Sequence, residues 1–174
     1  MVRQVLPVAD QNTMKDCLIC ERIGLIKENK NPYFVAELET GYVVLGDFQF
    51  YRGYSLFLYR NHVTELSLLE KETKQKFLEE MSNVAEAVYQ CWQPRKMNYE
   101  LLGNGYPHLH WHLVPRHKSD SEPRRTIWTI DRSIREAEGT RPNRTKLLKM
   151  KEKLYQHLKS VTSITSSYDP RYNL

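Results

Sequence analysis

Three of the chain's six histidines stand at alternate positions of "PHLHWHLVPR", as His108, His110 and His112, with Leu109, Trp111 and Leu113 between them. A period of two is the period of a β-strand, so the pattern predicts imidazoles projecting together from one face while the apolar residues pack a core behind them. A single histidine so placed reads as part of a solvated strand face. Three in strict alternation beside a Gly103-Asn104-Gly105 turn point to chemistry. Either all three ligate one catalytic metal, or at least one is a nucleophile or acid/base aimed at an anionic substrate. A second constellation lies upstream. Cys17-x-x-Cys20 has the spacing of half a tetrahedral metal site, although a redox pair or two core thiols would share it. Cys91 sits inside a helical pattern and is expected in the core.

The elements that must hold these residues follow from patterning. "YFVAEL" (33–38) and "YVVLG" (42–46) flank Glu39-Thr40-Gly41 as a hairpin flanks its turn, and "YSLFLYR" (54–60), entered through Gly53, is a third strand. Phe77, Met81, Val84, Val88 and Trp92 recur at helical spacing, with Lys74, Lys76, Glu79, Glu80 and Glu86 on the other side. This predicts a long amphipathic helix ending before Pro94, with Ser67-x-x-Glu70 as a capping box. "MNYELL" (97–102) and "HLHWHLV" (108–114) complete five strands, and short connections favour antiparallel pairing. Beyond Pro115 the chain is basic and irregular, its arginines from 116 to 144 expected mostly in solvent and His117 and His157 exposed and silent. A last helix is expected over about Asn143 to Val161, with Leu147, Leu148, Leu154 and Leu158 on one side.

A chain of 174 residues suits one domain with a core that needs no disulfides. No apolar run approaches the roughly 18 residues of a spanning helix, and Pro7, Asp10 and Gln11 interrupt the N-terminus where a secretory leader needs apolar residues. A cytoplasmic protein is therefore expected. The net charge of +5 favours an anionic partner without choosing among nucleotide, nucleic acid and membrane surface.

"HLHWHLV" matches the His-apolar-His-apolar-His-apolar-apolar signature of the histidine triad (HIT) superfamily, and "PHLHWHLVPR" resembles its diadenosine-polyphosphate-hydrolase-like bacterial members. "DCLIC" resembles the Cys-x-x-Cys opening of zinc-containing members, and "LGDFQFYRGYSLFLYRNH" the segment ending in a Gly-x-x-Leu-Val-x-Pro-Lys-x-His element, so that the likeness spans about residues 14–135. The resemblance implies an α+β fold: an antiparallel sheet of about five strands with a long helix packed on it, usually a homodimer. Here it would give a flexible N-terminal arm over 1–16, a HIT domain over 17–138, and a C-terminal helical extension and tail over 139–174.

It also implies roles. The middle histidine, His110, would be the nucleophile of a nucleotidyl transfer, and His112 would stabilise charge on the same phosphate. Asp47 would bind the ribose hydroxyls, Phe48 and Ile19 would sandwich the base, and Asn104 would contact the nucleotide, unless it serves only its turn. Cys17, Cys20, His62 and His108 would hold a structural zinc ion. Two departures stand out. Tyr59 and Arg60 replace the usual proline and lysine, and Gly105-Tyr106-Pro107 lacks the Gln-Ser pair of the phosphoramidase branch.

The function implied is hydrolysis of a nucleotidyl-phosphate or phosphoramidate bond, of the dinucleoside polyphosphate type. A nucleotidyltransferase or phosphorylase of the same family would use the same intermediate. A nucleotide-binding regulator with little turnover would keep only the pocket. Neither a membrane nor a nucleic acid is an expected partner.

Overall fold

The computed structural model describes residues 16–168, so apart from Asp16 the arm expected over 1–16 lies outside the described residues. In chain order the elements are α1 (Leu18–Lys27), β1 (Phe34–Glu37), β2 (Gly41–Leu45), β3 (Ser55–Tyr59), α2 (Lys71–Trp92), β4 (Lys96–Glu100), β5 (His110–Arg116), α3 (Arg132–Arg135), α4 (Arg144–Val161) and β6 (Ser166–Ser167). Short 3-10 turns at Leu66–Leu68, Ile127–Thr129 and Glu138–Thr140 link them. The strands form one antiparallel sheet in the order β4-β5-β3-β2-β1-β6. Five of the six are the predicted strands. The sixth, β6, comes from the C-terminal extension and pairs with β1, Ala36 opposite Ser167 and Glu37 opposite Ser166.

The two sheet faces do different work. From β3 and β5 one face presents Phe57 and Tyr59 to the long helix α2, where the Phe77 ring lies 5.2 Å from Phe57 and 5.1 Å from Tyr59. Helix α4 packs beside α2 and also reaches β1, burying Leu147, Leu154 and Leu158 as its periodicity predicts. Asn143 caps it, accepting a bond from the Lys146 amide at 2.9 Å. The other face of β5 carries His110, His112, Val114 and Arg116, with Leu56 and Leu58 of β3 and Tyr54 just ahead of it alternating beside them and Asn98 and Glu100 from β4.

Several local expectations are corrected. Ser67 belongs to a 3-10 turn, and α2 begins at Lys71 with Glu70 as its N-cap and no side-chain cap bond, so Ser67-x-x-Glu70 is not a capping box. Glu80 does not share the polar side of α2 with its neighbours. It is 1% exposed and turns inward, accepting bonds from the Glu39 and Thr40 amides at 3.0 and 2.9 Å and from the Thr40 hydroxyl. One buried carboxylate thus satisfies the donors of the β1–β2 turn that the backbone leaves unpaired. Arg116 is not solvated either. It is buried in β5 and donates to Asp120 Oδ2, Asn98 Oδ1 and the carbonyls of Arg125 and Glu122, which gathers the basic segment 117–126 onto the end of the sheet. His117 is half-buried, its ring Nε2 3.2 Å from the Arg52 carbonyl oxygen.

Gly53 has φ +91°, and a Cβ there would lie 2.4 Å from the Trp92 ring. The turn into β3 therefore closes under the indole at the end of α2, a position only glycine fills without strain.

Candidate active site and metal centre

His108 does not share the strand with the other two. It stands just ahead of β5, where the chain bends around the His62–Val63 segment, Leu109 N donating to the Val63 carbonyl and Tyr59 N to that of Leu109. Its ring Nε2 donates to the Tyr59 carbonyl at 2.8 Å. A carbonyl only accepts, so Nε2 carries the proton and Nδ1 presents its lone pair. That Nδ1 lies 3.7 Å from Cys17 Sγ and 3.5 Å from Cys20 Sγ, and Cys20 Sγ lies 3.2 Å from His62 Nδ1. The four candidate ligand atoms lie within 4.8 Å of one another. Burial holds the His108 pKa down to about 4 and the ring neutral, the state a metal requires. Burial also pushes the Cys20 thiol up to about 12, with the neighbouring Cys17 adding to it. A pocket of two cysteine sulfurs and two imidazoles at these separations has the donor set and size for a tetrahedral cation with thiolate and imidazole ligands.

His110 and His112 lie on the opposite side of the bend, side by side, with ring centroids 4.7 Å apart. The three histidines are not a solvated strand face: each is at least nine-tenths buried. His110 Nδ1 donates to the carbonyl of His108 at 2.5 Å, two residues back. Its proton is therefore on Nδ1, and Nε2 takes no partner among the described residues. Burial lowers its pKa and keeps the ring neutral. His112 is lowered to about 3, mainly by burial and then by the nearby His110. Its Nδ1 lies 2.6 Å from the Tyr54 hydroxyl, the two rings being nearly parallel. On its other side is Trp128, edge-on at 5.4 Å and bonded through Nε1 to Glu100, with Arg135 over its indole.

The expected nucleoside contacts are brought to the same region in part. Asp47 lies early in the loop between β2 and β3, and its Oδ2 accepts from Arg22 at 2.7 Å while both side chains stay 30% exposed. Phe48 carries the Arg141 guanidinium over its ring at 4.3 Å, and Arg141 also donates to the Tyr33 hydroxyl. Gln49 pins this loop from inside, donating to the Gly46 and Tyr54 carbonyls and accepting from Gly53 N. Ile19, on α1, is buried in the core. Asn104 is exposed and makes no side-chain bond among the described residues.

The HIT domain family matches residues 27–119. The chain belongs to the HIT family. This family includes nucleotide hydrolases and transferases, and no curated protein matches the chain. Among solved structures, a histidine triad protein from Bradyrhizobium japonicum is 21% identical, the match covering 76% of this chain and 93% of that one at a TM-score of 0.64. A histidine triad (HIT) protein from Sinorhizobium meliloti is 16% identical, with 83% and 98% covered and a TM-score of 0.65. A Zn-bound histidine triad family protein from Mycobacterium smegmatis is 17% identical, with 84% and 96% covered and a TM-score of 0.58. At these identities the likeness speaks to the HIT fold.

Within that HIT fold, Tyr54, Gln49 and Glu100 are the site residues that sequence reasoning misses. Tyr54 reads only as the first residue of a strand. The signal available was its alternation with Leu56 and Leu58, which puts it on the face opposite the one that packs on the helix, but its place beside His112 depends on the β3–β5 register.

Proposed function

We propose that this HIT protein hydrolyses a nucleotidyl-phosphate or nucleotidyl-phosphoramidate bond through a covalent nucleotidyl-His110 intermediate. The observation that carries the reading is the bond from His110 Nδ1 to the His108 carbonyl, which leaves a neutral imidazole with its Nε2 lone pair available. That lone pair forms an N–P bond at the α-phosphorus. The bond from phosphorus to the leaving oxygen or nitrogen breaks, its electron pair departs with the leaving group, and a leaving nitrogen takes a proton from solvent. Water then attacks the same phosphorus, the N–P bond breaks back to neutral His110, and the water's proton passes to solvent. His112 would donate to a phosphate oxygen as charge grows there. Asp47 Oδ1, which takes no partner among the described residues, would accept from the ribose hydroxyls, and Phe48 would lie against the base. The pocket of Cys17, Cys20, His62 and His108 would hold zinc as a structural ion, a reading supported by its donor set and by the Zn-bound relative.

The test is incubation with a panel of dinucleoside polyphosphates, nucleoside phosphoramidates and nucleotide sugars carrying label at the α-phosphorus. Acid-labile label on the wild-type protein and none on His110→Asn is the expected result. Turnover by wild type with no trapped label and undiminished turnover by His110→Asn would remove the covalent route.

A further inference from the structure

His110 and His112 are neighbours on one strand face, yet the structure gives their Nδ1 atoms opposite kinds of partner. His110 Nδ1 faces a carbonyl, which only accepts, whereas His112 Nδ1 faces the Tyr54 hydroxyl at 2.6 Å, which is able to do either. The neighbourhood decides between the two. His112 Nδ1 is the only partner the Tyr54 hydroxyl has among the described residues. If Nδ1–H donated to the phenol oxygen, the phenol proton would be left in a part-buried place with no acceptor among the described residues, a loss of roughly 1–3 kcal/mol. If the phenol donates to the Nδ1 lone pair, the donor left without a protein partner is His112 Nε2–H, which is not among the fully buried unpartnered atoms and so keeps contact with solvent. Burial raises the Tyr54 pKa well above its ordinary value, so the proton stays on oxygen at any working pH.

We infer that Tyr54 is a positioning residue that donates to Nδ1 of His112 and so fixes His112 as the Nε2–H tautomer, opposite to His110. The two imidazoles are thereby divided into a nucleophile, with its lone pair at Nε2, and a hydrogen-bond donor, with its proton at Nε2. The nearly parallel phenol ring, at a centroid distance of 6.0 Å, and the edge-on Trp128 hold the His112 ring in that orientation. Tyr54 does not act as an acid through this bond. Passing its proton to Nδ1 while His112 surrendered Nε2–H would leave a buried phenolate, which the same burial disfavours.

The tautomer stands on this structure alone, while its catalytic consequence rests on the covalent reading above. The experiment separates the two. In full-length protein with 15N-labelled histidine, two-bond 15N–1H correlation spectra at neutral pH report which ring nitrogen of His112 carries the proton, with the signals assigned by their loss in His112→Gln. Wild type should show His112 as Nε2–H and His110 as Nδ1–H. Tyr54→Phe, which keeps the ring and removes the hydroxyl, should turn His112 into a mixture of tautomers. It should also lower kcat by roughly 10- to 100-fold with KM within about threefold, as expected when a donor acting mainly in the transition state is misdirected. An Nδ1–H tautomer for His112 in wild type overturns the inference without need of any variant. Retention of a pure Nε2–H tautomer in Tyr54→Phe overturns it as well. Because both spectra are read without substrate, absence of turnover would count against the covalent reading and leave this one standing.

Discussion

A nucleophile and a charge-stabilising donor respond differently to truncation. His110→Asn should keep the fold, since the packing of Leu109 and Leu113 beside it is untouched. Turnover should disappear while nucleotide binding changes by less than about tenfold, because ground-state binding does not need the imidazole. Steady-state rates and equilibrium binding of a nucleoside monophosphate measure both. His112→Ala should be milder, a loss of roughly 10²- to 10³-fold in kcat, the scale of a lost oxyanion donor. Equal, slight losses in both variants would contradict the division of labour. The residue scale is also where the sequence misleads by its own regularity. His108, His110 and His112 look equivalent, but the bend before β5 carries the first to the cysteines and leaves the other two side by side on β5.

Among the elements, two polar anchors hold what packing alone does not. The cysteine–histidine pocket joins α1 to the segment after β3 and to the residues ahead of β5. If it holds zinc, purified protein should contain about one equivalent per chain, and Cys17→Ser should lower both metal content and thermal midpoint. Metal analysis beside a melting curve checks this, and full stability in metal-free protein would contradict it. Glu80 is the second anchor. Glu80→Ala would strand the Glu39 and Thr40 amides in a buried turn, and a loss of roughly 2–4 kcal/mol in urea unfolding is expected. A change under about 0.5 kcal/mol, the range of an ordinary surface substitution, would contradict its inward role.

Helix α4 carries a measurable pH dependence. Lys151 is fully buried there, its ammonium donating to the Pro32 carbonyl at 3.0 Å beneath the Tyr168 ring, and burial lowers its pKa to about 8. Between about 8 and the ordinary 10.5 the unfolded chain binds the extra proton. Stability due to this group therefore rises with pH across that window, and the penalty is fully present below it. Lys151→Met should stabilise by about 1–2 kcal/mol at pH 7, less than the whole penalty because the Pro32 carbonyl loses its donor. The gain should shrink at pH 9.5, and urea unfolding at both pH values would show it. A gap of unchanged size would contradict the assignment.

At the scale of the molecule, β4 is a free sheet edge among the described residues, and Tyr99 on it and Tyr89 on α2 are each 48% exposed. Together with the homodimers usual in the family, this leads us to expect a dimer, and light scattering at micromolar concentration should give twice the chain mass. A monomer at that concentration would contradict it. No helix among the described residues is long and apolar enough to cross a membrane.

The sequence by itself determined five of the six strands, the long helix and the last one, the HIT signature and the stock of chemical groups. These follow from local periodicity and from residue types that each chain segment carries with it. The hairpin around Glu39-Thr40-Gly41, the long helix ending at Trp92 and the last helix from about Asn143 all rest on contacts within a few residues. Only the tertiary structure decided which side Glu80 faces, that Arg116 is buried, that β6 closes the sheet beside β1, and that Tyr54 meets His112. Each of these depends on strand register or on packing between elements distant along the chain. A polar residue shows in its sequence what it is able to bond, whereas its actual partner is set by what the fold brings within about 3 Å of it.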